Sequence, residues 1–141
     1  MLRKLILTII LLIFFTGCNK AINEDTDLEN RLMQASINGE TSKVKEILEY
    51  NVKVDVRDSM GATPLMMAAL QNHYDIVKLL LNKGANPNIA TNKDGWTALI
   101  WAGRNRHYQI MKLLIERGAN VNATSENGIT ALMSIIPEGY P

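Results

Sequence analysis

The chain has 141 residues, enough for one domain, with 15 basic and 14 acidic side chains and a formal net charge of +1. So even a balance excludes the clustered Lys and Arg that a polyanion-binding surface needs to release counterions, and nucleic acid is not expected as a partner. Cys18 is the only cysteine, which excludes a disulfide within the chain.

Arg3 and Lys4 precede an apolar run from Leu5 to Phe15, broken only by Thr8, and Thr16, Gly17 and Cys18 close it. Charge, apolar stretch and small residues in that order read as a secretory signal over residues 1–17. The run is 11 residues long, well short of the roughly 20 that a spanning helix needs. Its ending, Phe15-Thr16-Gly17-Cys18, resembles the lipobox of bacterial lipoproteins, with Phe15 where that motif usually has Leu. The resemblance implies cleavage before Cys18 and lipidation of its thiol, so that several acyl chains tether the protein to the membrane. The alternative is an ordinary signal that happens to end in cysteine. Asn19, where some bacteria use Asp to retain a lipoprotein at the inner membrane, favours an outer-membrane position facing the periplasm. Residues 1–17 carry two of the basic side chains and none of the acidic ones, so the remainder has a net charge of −1. The polar stretch within residues 18–27 is expected to be a flexible spacer.

Beyond the spacer the chain repeats itself. Gly61 recurs as Gly95 and Gly128, Thr63 as Thr97 and Thr130, and Leu65 as Leu99 and Leu132, at intervals of 33 or 34 residues. Leu80, Gly84 and Asn88 recur as Leu114, Gly118 and Asn122, and a step of 33 backwards maps Val77, Leu80, Leu81 and Gly84 onto Val44, Ile47, Leu48 and Asn51. The segments GATPLMMAA with NHYDIVKLLLNKGANPN, and GWTALIWAG with RHYQIMKLLIERGANVN, resemble the ankyrin repeat. That resemblance implies an all-α solenoid of helix pairs joined by β-hairpin-like turns, about three and a half repeats long. The repeat domain is expected over residues 28–136, with repeats at 28–57, 58–91 and 92–124, a partial copy at 125–136 and a tail at 137–141.

Within each copy the residue types have physical tasks. Thr63, Thr97 and Thr130 are helix N-caps, and Pro64 sits at the first helical position, where its missing N–H costs nothing. Ile76, Val77 and Leu80, like Ile110, Met111 and Leu114, form the stacking stripe of a second helix. Gly84 and Gly118 are expected to end that helix in the left-handed conformation, with Asn51 in the same role in the first copy. At the end of the first helix, Gly39 and Asn72 suit that conformation, whereas Arg106 takes it at a cost of about 1 kcal/mol. Met66, Ile100 and Met133 replace the histidine usual in this family, so apolar packing is expected there. Thr130 to Ile136 is expected to form the first helix of the fourth copy, stopped by Pro137, as a minimal cap or a truncated repeat.

The family resemblance implies binding of a protein partner through turn tips and the inner helix face. By register those positions are Ser59, Met60, Ala62, Leu70 and Gln71, then Lys93, Asp94, Trp96, Arg104 and Asn105, then Glu126, Asn127 and Ile129. The third repeat also holds an extra residue within 89–94. Among all these, Met60, Lys93, Trp96, Arg104, Asn105, Arg106 and Ile129 are the candidate contacts, centred on Trp96, Arg104 and Arg106 because Trp and Arg dominate interface hot spots. Against this stands a plainer reading, in which Trp96 folds over the neighbouring turn and the arginines are solvated. Trp101 is read as core filling, His73 and His107 as structural residues at a helix turn, and Lys45, Lys78 and Lys112 as a solvated ladder.

No nucleophile motif, phosphate-cradling loop or metal-ligand spacing stands out, so neither catalysis nor a cofactor, metal or small-molecule substrate is expected. The expectation is a membrane-tethered protein-binding module of the bacterial envelope. Its biological role remains open between a periplasmic inhibitor or immunity protein against a toxic enzyme and a protective accessory of an envelope enzyme.

Overall fold

In the computed structural model, residues 25–135 are described. Expectations for residues 1–24, Cys18 among them, and for 136–141 lie outside that range. The chain is already helical at residue 25, three residues inside the stretch expected to be spacer, and this helix, α1, runs to residue 38. It is followed by α2 (Thr41–Ile47), α3 (Pro64–Leu70), α4 (Tyr74–Asn82), α5 (Ala98–Arg104), α6 (Tyr108–Glu116) and a 3-10 turn at Met133–Ile135. Helices α3 and α5 pack side by side in one layer, α2, α4 and α6 in a second, and α3·α4 and α5·α6 join the layers. This is an all-helical repeat solenoid. Among the described residues, no helix is long and apolar enough to cross a membrane.

The starts of α3 and α5 follow from their caps. Thr63 and Thr97 are extended, and their hydroxyls accept from the Met66 and Ile100 amides at 3.4 Å in both cases. One otherwise unpaired helix-start amide is thus satisfied in each copy. The ends follow from backbone sign. Gly39, Asn72 and Arg106 have φ of 76°, 64° and 59°, and this turn lets the amides of Glu40, His73 and His107 reach back to the carbonyls of Ala35, Ala68 and Ala102 at 2.9–3.0 Å. Arg106 therefore holds the left-handed geometry that glycine and asparagine adopt more readily. Gly84 and Gly118, at 89° and 87°, end α4 and α6 in the same way.

Asn51 does not. It lacks a positive φ, because α2 winds down through short turns from Glu49 to Glu46 and Tyr50 to Ile47, and Lys83 Nζ of the next repeat covers the Leu48 carbonyl at 2.9 Å. The left-handed exit is unnecessary where that carbonyl already has a donor.

One apolar core runs through all three repeats. Leu32, Val44, Ile47, Leu65, Met66, Ile76, Val77, Leu80, Leu99, Ile100, Ile110 and Leu114 are all essentially inaccessible. Each such side chain contributes about 1.5–3 kcal/mol on burial. Met66 and Ile100 are thus apolar core residues, whereas Met133 is 58% exposed. The fourth copy departs from expectation: Thr130 caps Met133 N at 3.1 Å, but only a 3-10 turn follows over the described residues. Gly103 explains how that turn is held. A Cβ there would stand 2.6 Å from the Ala131 carbonyl oxygen, so the small residue at this point of α5 admits the backbone of the terminal segment.

Candidate functional site

Three turn tips, or fingers, project between the helix pairs. In the first, Asp58 Oδ1 accepts from the Met60 and Ala62 amides at 2.9 and 2.8 Å, while the Asp58 amide donates to the Ala62 carbonyl at 3.0 Å. The second uses Thr91, whose hydroxyl accepts from Trp96 N at 2.9 Å and whose amide donates to Trp96 O at 3.0 Å. In the third, Ser125 Oγ accepts from Ile129 N at 3.1 Å and its amide donates to Ile129 O at 2.9 Å. The closing residues are four apart in the outer fingers and five apart in the middle one. The extra residue of the third repeat therefore lies inside this loop, in which Lys93 is exposed.

Neighbouring fingers are joined by backbone bonds, from Asn92 N to Met60 O at 2.9 Å and from Glu126 N to Asp94 O at 3.0 Å. Arg57 adds a staple: its Nη2 donates to Ala90 O at 2.7 Å and Asn92 Oδ1 at 2.9 Å, and its Nε to Gly61 O at 3.2 Å. Asn88 does the same behind the fingers, donating to Gly118 O at 3.0 Å and accepting from Asn120 N at 2.7 Å.

A family model described as Ankyrin repeats (3 copies) matches residues 5–91 and 86–141. The chain belongs to the ankyrin-repeat family. Over 60 residues it is 40% identical to an ankyrin repeat, SAM and basic leucine zipper domain-containing protein of Oryctolagus cuniculus, covering 43% of this chain and 13% of that protein. It is 37% identical over 73 residues to ankyrin repeat domain-containing protein 29 of Homo sapiens, covering 51% and 24%. An ankyrin repeat protein of Monkeypox virus is 43% identical over 58 residues, covering 41% and 10%. The chain thus spans a quarter or less of the length of these relatives. The family is in general a non-enzymatic scaffold for protein interaction, and its repeats mark this chain as a protein-interaction module.

On the ankyrin fingers and inner helices, Met60 is 59% exposed, and Lys93, Arg104, Asn105 and Arg106 are also exposed, while Ile129 is half-buried. Ala62, placed by register among the variable tip residues, is buried at the base of its finger. Trp96 requires a correction. Expected as a contact residue, it is only 8% exposed, because its indole turns down from the finger onto α5 and lies 4.4 Å, centroid to centroid, from the Trp101 ring. Desolvating two indoles against each other outweighs leaving one in water. Arg104 is brought to Trp96, with its guanidinium carbon 5.0 Å from the ring centroid, whereas Arg106 sits at the left-handed turn beyond the helix. The cluster is therefore an arginine held on an aromatic shelf, not a tryptophan presented to solvent.

Trp101 is half-buried against the core, as a filling residue should be, but its Nε1 is buried without a hydrogen-bond partner. Asn105 Nδ2 donates to the Trp101 carbonyl at 2.9 Å and fixes the end of α5 beneath Arg104. His73 and His107 both stand at helix turns, where each Nε2 donates to a carbonyl of the preceding repeat, Ile37 at 3.0 Å and Leu70 at 3.1 Å. Lys45, Lys78 and Lys112 are exposed along the outer layer. Beside α2, hydrogen bonds from Lys43 and then Asn38 hold the Glu40 carboxyl below its ordinary range. Arg57 was not foreseen as a staple, since Ala90 and Thr124 at its register carry no charge to reveal the role.

Proposed function

We propose that this ankyrin-repeat chain is tethered to the bacterial envelope by a lipid on Cys18 and captures a protein partner through its finger tips and inner helices. The observation that carries the binding surface is Arg104: an exposed cation fixed over Trp96, with no acidic side chain paired to it among the described residues. A guanidinium already ordered on an aromatic face loses little freedom on meeting a carboxylate or a carbonyl row. Lys93, exposed on the same finger as Trp96, and Met60, exposed on the finger before it, extend the surface, while the side chains beneath are committed to stacking.

Photo-crosslinking in cells tests this reading, with the reactive residue placed at Lys93 or, as an outer-layer control, at Lys78. One adduct at Lys93, missing at Lys78 and abolished by Arg104→Glu, is expected. Equal adducts at both positions would refute the surface. In the same cells Cys18→Ala is expected to move the protein out of the membrane fraction, and unchanged fractionation would remove the lipid tether.

A further inference from the structure

The five arginines among the described residues are of two kinds. Arg31 stands 3.9 Å from the Asp27 carboxylate, Arg57 donates to three oxygen acceptors, and Arg117 Nη1 donates to Asn82 Oδ1 at 2.8 Å. Arg104 and Arg106, two residues apart at the end of α5, reach no oxygen acceptor among the described residues. Trp96 orders the Arg104 guanidinium, 5.0 Å from its ring centroid, without supplying an oxygen for its five N–H groups. The charge is also specific to this repeat. Leu70 and Ile37 stand at the Arg104 register in the two preceding copies, and Asn72 and Gly39 at the Arg106 register. Arg106 holds a φ of 59°, a strain that Asn72 and Gly39 bear more easily and that no polar contact of its side chain within the described residues offsets.

We propose that the partner's docking segment carries an Asp or Glu carboxylate that seats on Arg104, next to an apolar side chain that lies on Met67, Leu70 and Trp101. This rests on the Arg104 surface as the place of capture and adds the chemistry that the surface selects. Met67 and Leu70 are about one turn apart on α3, as Trp101 and Arg104 are on α5, and the two helices pack side by side. Met67, Leu70 and Trp101 are only half-buried, so an apolar strip borders the cation. Charge selects a carboxylate over a backbone carbonyl, because the planar fork of N–H groups matches a pair of carboxylate oxygens and the charged hydrogen bond is roughly twice as strong as a neutral one. Asp94 on the second finger and Glu126 on the third form no ion pair with Arg104, so neither competes for that seat. The apolar neighbour follows from the strip, which gains by leaving water only if the segment brings its own apolar surface.

Selection from a displayed library of random peptides, on the full chain in a non-ionic detergent, is the test. The recovered sequences are expected to share an Asp or Glu near an apolar residue. One of them, labelled for fluorescence anisotropy, should lose about tenfold or more in affinity for Arg104→Gln and nothing for Lys78→Gln on the outer layer. Changing the acid of the peptide to its amide should cost as much on the natural chain and nothing further on Arg104→Gln, because both changes remove one contact. A substitution that merely disturbed the packing around Trp96 would give losses that add, and additive losses would overturn the pairing. Sequences without an acid preference, or a library that yields no binder, would overturn it as well. These failures are distinct from failure of the capture surface: a crosslinked adduct at Lys93 that persists without any acid preference would mean that a partner is held there by other chemistry.

Discussion

Trp96 shows how one residue type at one position admits two opposite uses. A large aromatic after a turn glycine is what an interface anchor looks like in sequence, and it is equally what a finger needs to pin itself to the helix below. The structure chooses the second, since the ring is 8% exposed and packed on Trp101. Trp96→Ala is therefore expected to cost about 3 kcal/mol of stability, read as a shift in the urea unfolding midpoint at unchanged slope. A loss below about 1 kcal/mol would show that the indole contributes little to the core. Arg106 is the reverse case, because its strain was legible: the repeat register placed Arg where Gly39 and Asn72 stand, and its φ is 59°. Arg106→Gly should stabilise the fold by roughly 1 kcal/mol in the same measurement. If it does not, contacts of the Arg106 side chain offset the backbone strain.

At the level of elements, the helices were legible and the fingers only in part. Caps, stripes and stops are written in residue types with one physical meaning each, so Thr63, Pro64, Val77 and Gly84 sit where their chemistry requires. The exit from α2 was misread because it depends on Lys83, 35 residues away, which covers the Leu48 carbonyl. The finger staple was invisible for the same reason: Arg57 acts through carbonyls and an amide of the next repeat, and backbone acceptors leave no mark in sequence. Arg57→Ala removes three hydrogen bonds, all solvent-facing or half-buried, and is expected to destabilise the fold by about 1–2 kcal/mol. Amide exchange should quicken at Asn92, and an unchanged rate there would mean that the backbone bond from Asn92 to Met60 holds the fingers without the staple.

In the whole molecule, stability is a sum of repeats and the interfaces between them, so position in the stack matters more than any single contact. The middle repeat has two neighbours. The terminal segment has one, reached through the close approach at Gly103, and its 3-10 turn leaves Leu132 and Met133 in solvent. Sequence showed that a fourth copy begins, since Thr130 takes the capping position, but not that only a 3-10 turn follows over the described residues. Amides of residues 123–135 are therefore expected to exchange fastest within the repeat domain, and those of α3 and α4 slowest. Uniform exchange along the stack would show instead that the interfaces between repeats bind the chain into one cooperative unit.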